Sequence, residues 1–162
     1  MERILHRLLV PIDFSANSKN ALLYSSALAQ PFDAELHLLY VIEPIIYSPD
    51  FSMGQIALPS IDTHEMEVRS REEMQKLVKT QLPDSIRSKI TVRIGKPFSE
   101  IIDYAKQEDI DVIVISSHGH SSVEHILFGS TSEKVVKKAP CPVLTLREPL
   151  KGFDYKEKLK TD

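Results

Sequence analysis

Short apolar runs and helical stripes alternate along this chain. Leu8-Leu9-Val10-Pro11-Ile12 has no polar member, the signature of a strand buried on both faces, and Asp13 ends it. Ser15, Asn17 and Ser18 are competent helix N-caps, and Ala21, Leu22, Ser25, Leu28 and Ala29 follow at helical spacing. Glu35–Ile42 reads as a second strand. Pro44, Pro49, Gly54 and Pro59 then punctuate a long connection, 43–61, of a length that is usually functional or mobile. Residues 62–82 form a charged segment with Met74, Leu77 and Val78 on one helical face, closed by Pro83.

The same alternation continues to the end. Ile90–Ile94 is a third strand, stopped by Gly95. Pro97 suits the first turn of a helix whose inward stripe is Ile101, Ile102 and Ala105. Asp111–Ile115 is a fourth buried strand, a short helix follows Gly129-Ser130 and runs through Lys138, and Pro142–Leu146 is a fifth strand. Strands separated by helices predict an α/β domain: an open five-stranded parallel sheet with helices on both faces, Rossmann-like in its layering. The expected domain spans 1–148, and 149–162 is a charged tail carrying Lys151, Lys156, Lys158 and Lys160.

Composition narrows the classes. At 162 residues, 42% apolar and 27% charged, the chain can bury one core and is not disordered as a whole. A net charge of −3 with interspersed signs gives no electrostatic footprint for nucleic acid. The opening MERILHRLLVPID is charged early and too short in its apolar run for a secretory signal, and no stretch approaches a membrane span. A lone cysteine, Cys141, forms no internal disulfide. A cytoplasmic protein without membrane or nucleic-acid partners is the expectation.

In open parallel sheets, ligands bind beyond the carboxyl ends of the strands where the strand order reverses. Two strand ends here carry suitable residues: Pro11-Ile12-Asp13 and Ser116-Ser117-His118-Gly119, the latter leading to Gly129-Ser130-Thr131. Glycine lets backbone N–H groups approach a phosphate, and hydroxyls at a helix start add donors where the dipole favours an anion. Plainer readings stand beside these. Ser130 and Glu133 have the spacing of an ordinary capping box, Gly129 can mark a turn, and Asp13 can be a solvated turn residue. A metal cluster of His118, His120 and His125 is weaker than a polar loop, because no cysteine or paired carboxylate completes it. The nucleotidyl-transferase pattern His-x-Gly-His needs histidine at 117, where Ser117 stands. Cys141, between Pro140 and Pro142, reads as a packed residue and not as a nucleophile.

The segments LLVPIDFSANSKNAL, RIGKPFSEIIDYAKQEDIDVIVISSHG and FGSTSEKVVKKAPCPVLTL resemble, in order, the opening, middle and close of the universal stress protein (UspA-like) family. The likeness runs over about residues 3–147. It implies strand order 3-2-1-4-5, with the first and fourth strands flanking the switch point. It also implies a family divided into members that bind ATP and members that lack a complete ATP motif. The family's ATP pattern is Gly-x2-Gly-x9-Gly-Ser/Thr; Gly119, the nine-residue spacing and Gly129-Ser130 match it, whereas Ser116 replaces the first glycine. The resemblance further implies that Asp13 meets the ribose and adenine side, that Pro11, Ile12 and Val41 wall the base, and that Ser116, His118, Gly119, Gly129, Ser130 and Thr131 surround the phosphates. ATP is the implied ligand, with Mg2+ on its phosphates and AMP or ADP as variants. A homodimer through the last strand is also implied. The chain has no complete Walker lysine motif, so a nucleotide-binding regulator leads, with an ATP-independent dimeric scaffold and a slow ATPase as the other classes.

Overall fold

In a computed structural model of the chain, residues 5–44, 63–118 and 128–147 are described. The long connection beyond Pro44, Gly119, His120, His125 and the lysine-bearing tail lie outside them. Five strands, β1 (Arg7–Ile12), β2 (Glu35–Ile42), β3 (Ser88–Ile94), β4 (Val112–Ser116) and β5 (Val143–Leu146), alternate with four helices, α1 (Ala16–Ala29), α2 (Thr63–Gln81), α3 (Pro97–Gln107) and α4 (Ser130–Lys138). A single 3₁₀ turn over Gln30–Phe32 extends α1. All neighbouring strands pair in parallel, in the order β3-β2-β1-β4-β5. The expected α/β architecture and strand order are both present.

The continuous apolar runs bury both faces of the sheet because side chains alternate along a strand. On one face, Leu8, Val10, Leu36, Leu38 and Val114 pack with Ala21, Leu22 and Ala29 of α1 and with Met74 and Leu77 of α2. On the other, Leu9, Leu39, Ile113 and Ile115 pack with Ile101, Tyr104 and Ala105 of α3 and Val135 of α4. Val78 packs at the margin of the first core, as its place on the α2 stripe predicts. Ser15 is the N-cap of α1, accepting from the Ser18 N–H at 3.2 Å. Asn17 is therefore free of capping duty, and its side chain goes elsewhere.

The pairing of β1 with β4 positions the cleft. At the amino ends, one Asp111 carboxylate oxygen accepts from the backbone N–H of His6 at 2.7 Å and of Arg7 at 2.8 Å. The Asp111 N–H in turn donates to the Arg7 carbonyl at 3.0 Å. Register pairs are then limited to Leu8 with Val112 and Leu9 with Ile113. Pro11 has no N–H with which to prolong the ladder, and the carboxyl ends of the two strands part. On its other side β1 stays paired with β2 as far as Ile12 and Tyr40.

Candidate functional site

The gap where β1 and β4 part is a cleft of about 330 Å³. That volume lies at the small end of the range for ligand pockets. Its floor and apolar walls come from Pro11, Leu39, Val41 and Ile115, with Pro97 and Ile101 of α3 closing one side. Its polar rim comes from Asp13, Ser116 and the first turn of α4, Gly129 to Ser132. Pro11, Ile12, Asp13, Val41, Ser116, Gly129, Ser130 and Thr131 all line this one cavity. His118 does not line it: its Nδ1 lies 3.0 Å from Ser117 Oγ, and its carbonyl accepts from Asn17 Nδ2 at 3.2 Å. Gly119 is outside the described residues.

Asp13 sits where β1 ends. Its Oδ1 accepts from the Ser15 N–H at 3.0 Å and from the Ser15 hydroxyl, which fixes the carboxylate at the mouth of α1. Between these residues the chain turns through Phe14, whose φ of 63° is left-handed. A non-glycine residue in that region costs about 1–2 kcal/mol, and such strain collects at functional sites. Sequence reasoning missed this bend; DFS offers no glycine to mark it.

At the opposite rim, the capping box expected of Ser130 and Glu133 is absent. Gly129 is the N-cap, with φ −70° and ψ 159°, and a glycine has no side chain with which to cap. Glu133 reaches forward instead, its carboxylate held below the usual range by the Lys137 ammonium 2.6 Å away. Four N–H groups at a helix start lack intrahelical acceptors. Here the Gly129 N–H donates to the Ser117 carbonyl at 2.7 Å, and the helix start that carries the amides of 130, 131 and 132, with its partial positive charge, lies on the rim of the cleft. Neither conformation nor packing within the chain demands glycine: its φ is open to any residue, and a Cβ would make only ordinary contacts. A Cβ there would lie 3.4 Å from the Ser117 carbonyl oxygen and 3.7 Å from Ser132 Oγ.

Ser116, the departure from the family's glycine pattern, is not in the left-handed region. It is the last residue of β4, 9% exposed, with ordinary strand backbone. A glycine's conformational freedom is unnecessary at this point of the chain. Besides Val41, α3 and β2 add Pro97, Ile101, Leu39 and Tyr40 to the cleft; the sequence marked Pro97 as a helix first turn, Ile101 as part of an inward stripe, and Leu39 and Tyr40 only as members of a strand.

Among the described residues the lining includes no lysine or arginine, and the groups it offers an anion are backbone amides and hydroxyls. Among the described residues, no three His, Cys, Asp or Glu side chains group as metal ligands. Cys141 is half-buried, and burial pushes its thiol pKa up, which suits a packed residue. No helix among the described residues is long and apolar enough to cross a membrane.

A parallel α/β sheet with an apolar cleft at its switch point and an uncapped helix start on the rim defines a protein of the doubly wound α/β class. The model of the universal stress protein family matches residues 5–147, and the chain belongs to that family. It is 34% identical over 152 residues to a universal stress protein of Methanocaldococcus jannaschii, spanning 87% of this chain and 94% of that one. Among solved structures, universal stress protein UspA from Lactobacillus plantarum superposes with a TM-score of 0.68 at 29% identity, covering 91% of this chain and all of the other. More distant members share the fold and were solved with nucleotides. One from Archaeoglobus fulgidus is a complex with dAMP (TM-score 0.59, 18% identity, covering 88% of this chain and 98% of that one). Another is a complex with cAMP (TM-score 0.61, 17% identity, covering 88% and 97%).

Proposed function

We propose that this universal stress protein binds an adenine nucleotide, ATP in the first instance, in the β1–β4 cleft and acts as a regulator, not as a fast enzyme. One observation carries the reading: the uncapped start of α4 and the fixed carboxylate of Asp13 face the same apolar cleft. In this reading the amides of 130–132 and the hydroxyls of Ser130 and Thr131 take the phosphates. Asp13 accepts from the ribose hydroxyls, and Pro11, Ile12, Val41 and Ile115 cover the base. Ser116 borders the ligand as a small side chain, and Gly129 presents no side chain to the phosphate end of the cleft.

Among the described residues the lining offers no lysine or arginine to gather charge in a phosphoryl-transfer transition state, and no three His, Cys, Asp or Glu side chains group as metal ligands. A Mg2+ ion would be held chiefly by the phosphates that carry it. We read the cleft as a binding site without rapid turnover, in a cytoplasmic setting. The relatives solved with dAMP and cAMP support a nucleotide of this size.

Mass spectrometry of small molecules released from the denatured, purified protein tests the reading, backed by calorimetric titration with ATP. An adenine nucleotide or a saturable ATP isotherm is expected. No released nucleotide together with a flat isotherm overturns the reading in favour of an ATP-independent scaffold.

A homodimer through β5 is the accompanying proposal. β5 is an edge strand of four residues, with Val143 and Leu144 only partly covered, and an open edge invites a further strand. Sedimentation at micromolar concentration should give twice the chain mass; monomer alone would refute it.

A further inference from the structure

Ser132 lies in the first turn of α4 yet is 3% exposed. Its hydroxyl donates out of the helix, to the Ser117 carbonyl at 2.8 Å, and lies 3.0 Å from the carbonyl of Gly129. The Ser117 carbonyl also accepts from the Gly129 N–H at 2.7 Å, so both of its lone pairs are directed at the start of α4. The backbone on either side of that carbonyl is also held: the Ser117 N–H donates to Leu146 of β5 at 2.8 Å, and Asn17 of α1 holds the next carbonyl, that of His118. Ser132 thus has a local acceptor in its own turn, Gly129, and a shorter contact that spans fifteen residues to the strand end.

We propose that Ser132 is a positioning residue for the phosphate end of the cleft: its hydroxyl ties the first turn of α4 to the end of β4 and thereby aims the amides of 130–132. The inference rests on the nucleotide reading. Donors of fixed geometry must sit within about half an ångström of their targets to be effective. With one tie, the Gly129 N–H, the first turn can swivel about that bond; with two it cannot. Ser132 does this without donating to the ligand, since its hydroxyl hydrogen is engaged by the carbonyls of Ser117 and Gly129.

The test is paired titration of the full-length protein with ATP and with adenosine, which lacks phosphates, for the wild type and Ser132→Ala. Wild type should bind both. The variant should lose about tenfold in ATP affinity while adenosine affinity stays within about twofold. A merely structural serine would lower thermal stability and leave the ATP-to-adenosine ratio unchanged, which overturns the inference alone, as does an equal loss for both ligands. Failure of the wild type to bind either ligand overturns the nucleotide reading and this inference with it. Should the alanine variant not fold by circular dichroism, Ser132→Cys keeps the volume with a weaker donor, and the same ratio decides.

Discussion

Nδ1 of His37 lies 2.8 Å from the hydroxyl of Tyr104, while Nε2 of the same ring lies 3.1 Å from a Glu35 carboxylate oxygen. The arrangement suits a neutral ring that donates through Nε2 to Glu35 and accepts from the Tyr104 hydroxyl. That hydroxyl oxygen is 3.2 Å from Thr91 Oγ1, and the Arg93 guanidinium stands 4.8 Å over the Tyr104 ring. Burial pushes the His37 pKa below its usual 6.5; Glu35 and Glu108 oppose that shift and Lys89 reinforces it. Burial likewise raises the Tyr104 phenol.

The sign of the pH dependence follows. A histidine whose folded pKa is depressed takes up its proton first in the unfolded chain. The stability it contributes is present above about pH 6.5 and is lost as pH falls toward the folded value. Urea midpoints measured between pH 7.5 and 5.5 should therefore fall with acidification, by no more than about 1.4 kcal/mol per pH unit from this one group. His37→Gln should flatten that slope. An unaltered slope would assign the dependence to other groups.

The left-handed bend at Phe14 makes an unusual ordering of variants. Its ring lies 4.9 Å from that of Tyr40, centroid to centroid, at an angle of 52°. Phe14→Gly and Phe14→Ala both forfeit this packing, but only glycine accepts the φ of 63° without steric cost. The glycine variant should be the more stable of the two by about 1 kcal/mol in denaturant unfolding. Equal stabilities would show that the bend relaxes once the ring is gone.

At Gly129 the expectation is a separation of binding from folding. The backbone there accepts any side chain, so Gly129→Val should fold, with only a few degrees' change in melting temperature (about 1 kcal/mol). A Cβ there makes only ordinary contacts with the Ser117 carbonyl and Ser132, but Gly129 lines the cleft, so a branched side chain takes up room at its phosphate end, and ATP affinity should fall about tenfold or more. Unchanged affinity by calorimetry would remove this turn from the site.

Ser116→Gly should do little to binding. Because the strand backbone there has negative φ, glycine relieves no strain, and its greater chain entropy costs about 0.5–1 kcal/mol of stability. The ATP dissociation constant should stay within about tenfold of wild type. A larger gain on titration would mean that the serine side chain intrudes on the ligand.

The parallel sheet was legible because its strands are continuous apolar runs and its helices carry spaced stripes; β2 was bounded from Glu35 to Ile42 by that signal alone. The cleft was legible where it is made of strand ends, at Pro11, Asp13 and Ser116. What escaped the sequence depends on contacts between distant segments. His37 interrupts a buried strand with a polar ring whose partner, Tyr104, is 67 residues away. Asn17 looked like a cap and instead holds a carbonyl 101 residues on. The spacing of Ser130 and Glu133 matched a capping box, but Gly129 took the cap position and Lys137 took the glutamate. Short-range spacing cannot decide between a local partner and a distant one.

Ser117, at the end of β4, joins three elements: its N–H closes onto β5, and its carbonyl receives the start of α4. An edge strand of four residues would ordinarily fray on its own, and so would the uncapped turn of a nine-residue helix. Sharing the backbone of one residue makes them a single opening unit. In native-state hydrogen exchange, the amides of Ser117 and Gly129 should report the same opening free energy, and a ligand seated against α4 should slow both together. The outer edge of the sheet would then register what happens in the cleft through local unfolding, without any change of average shape.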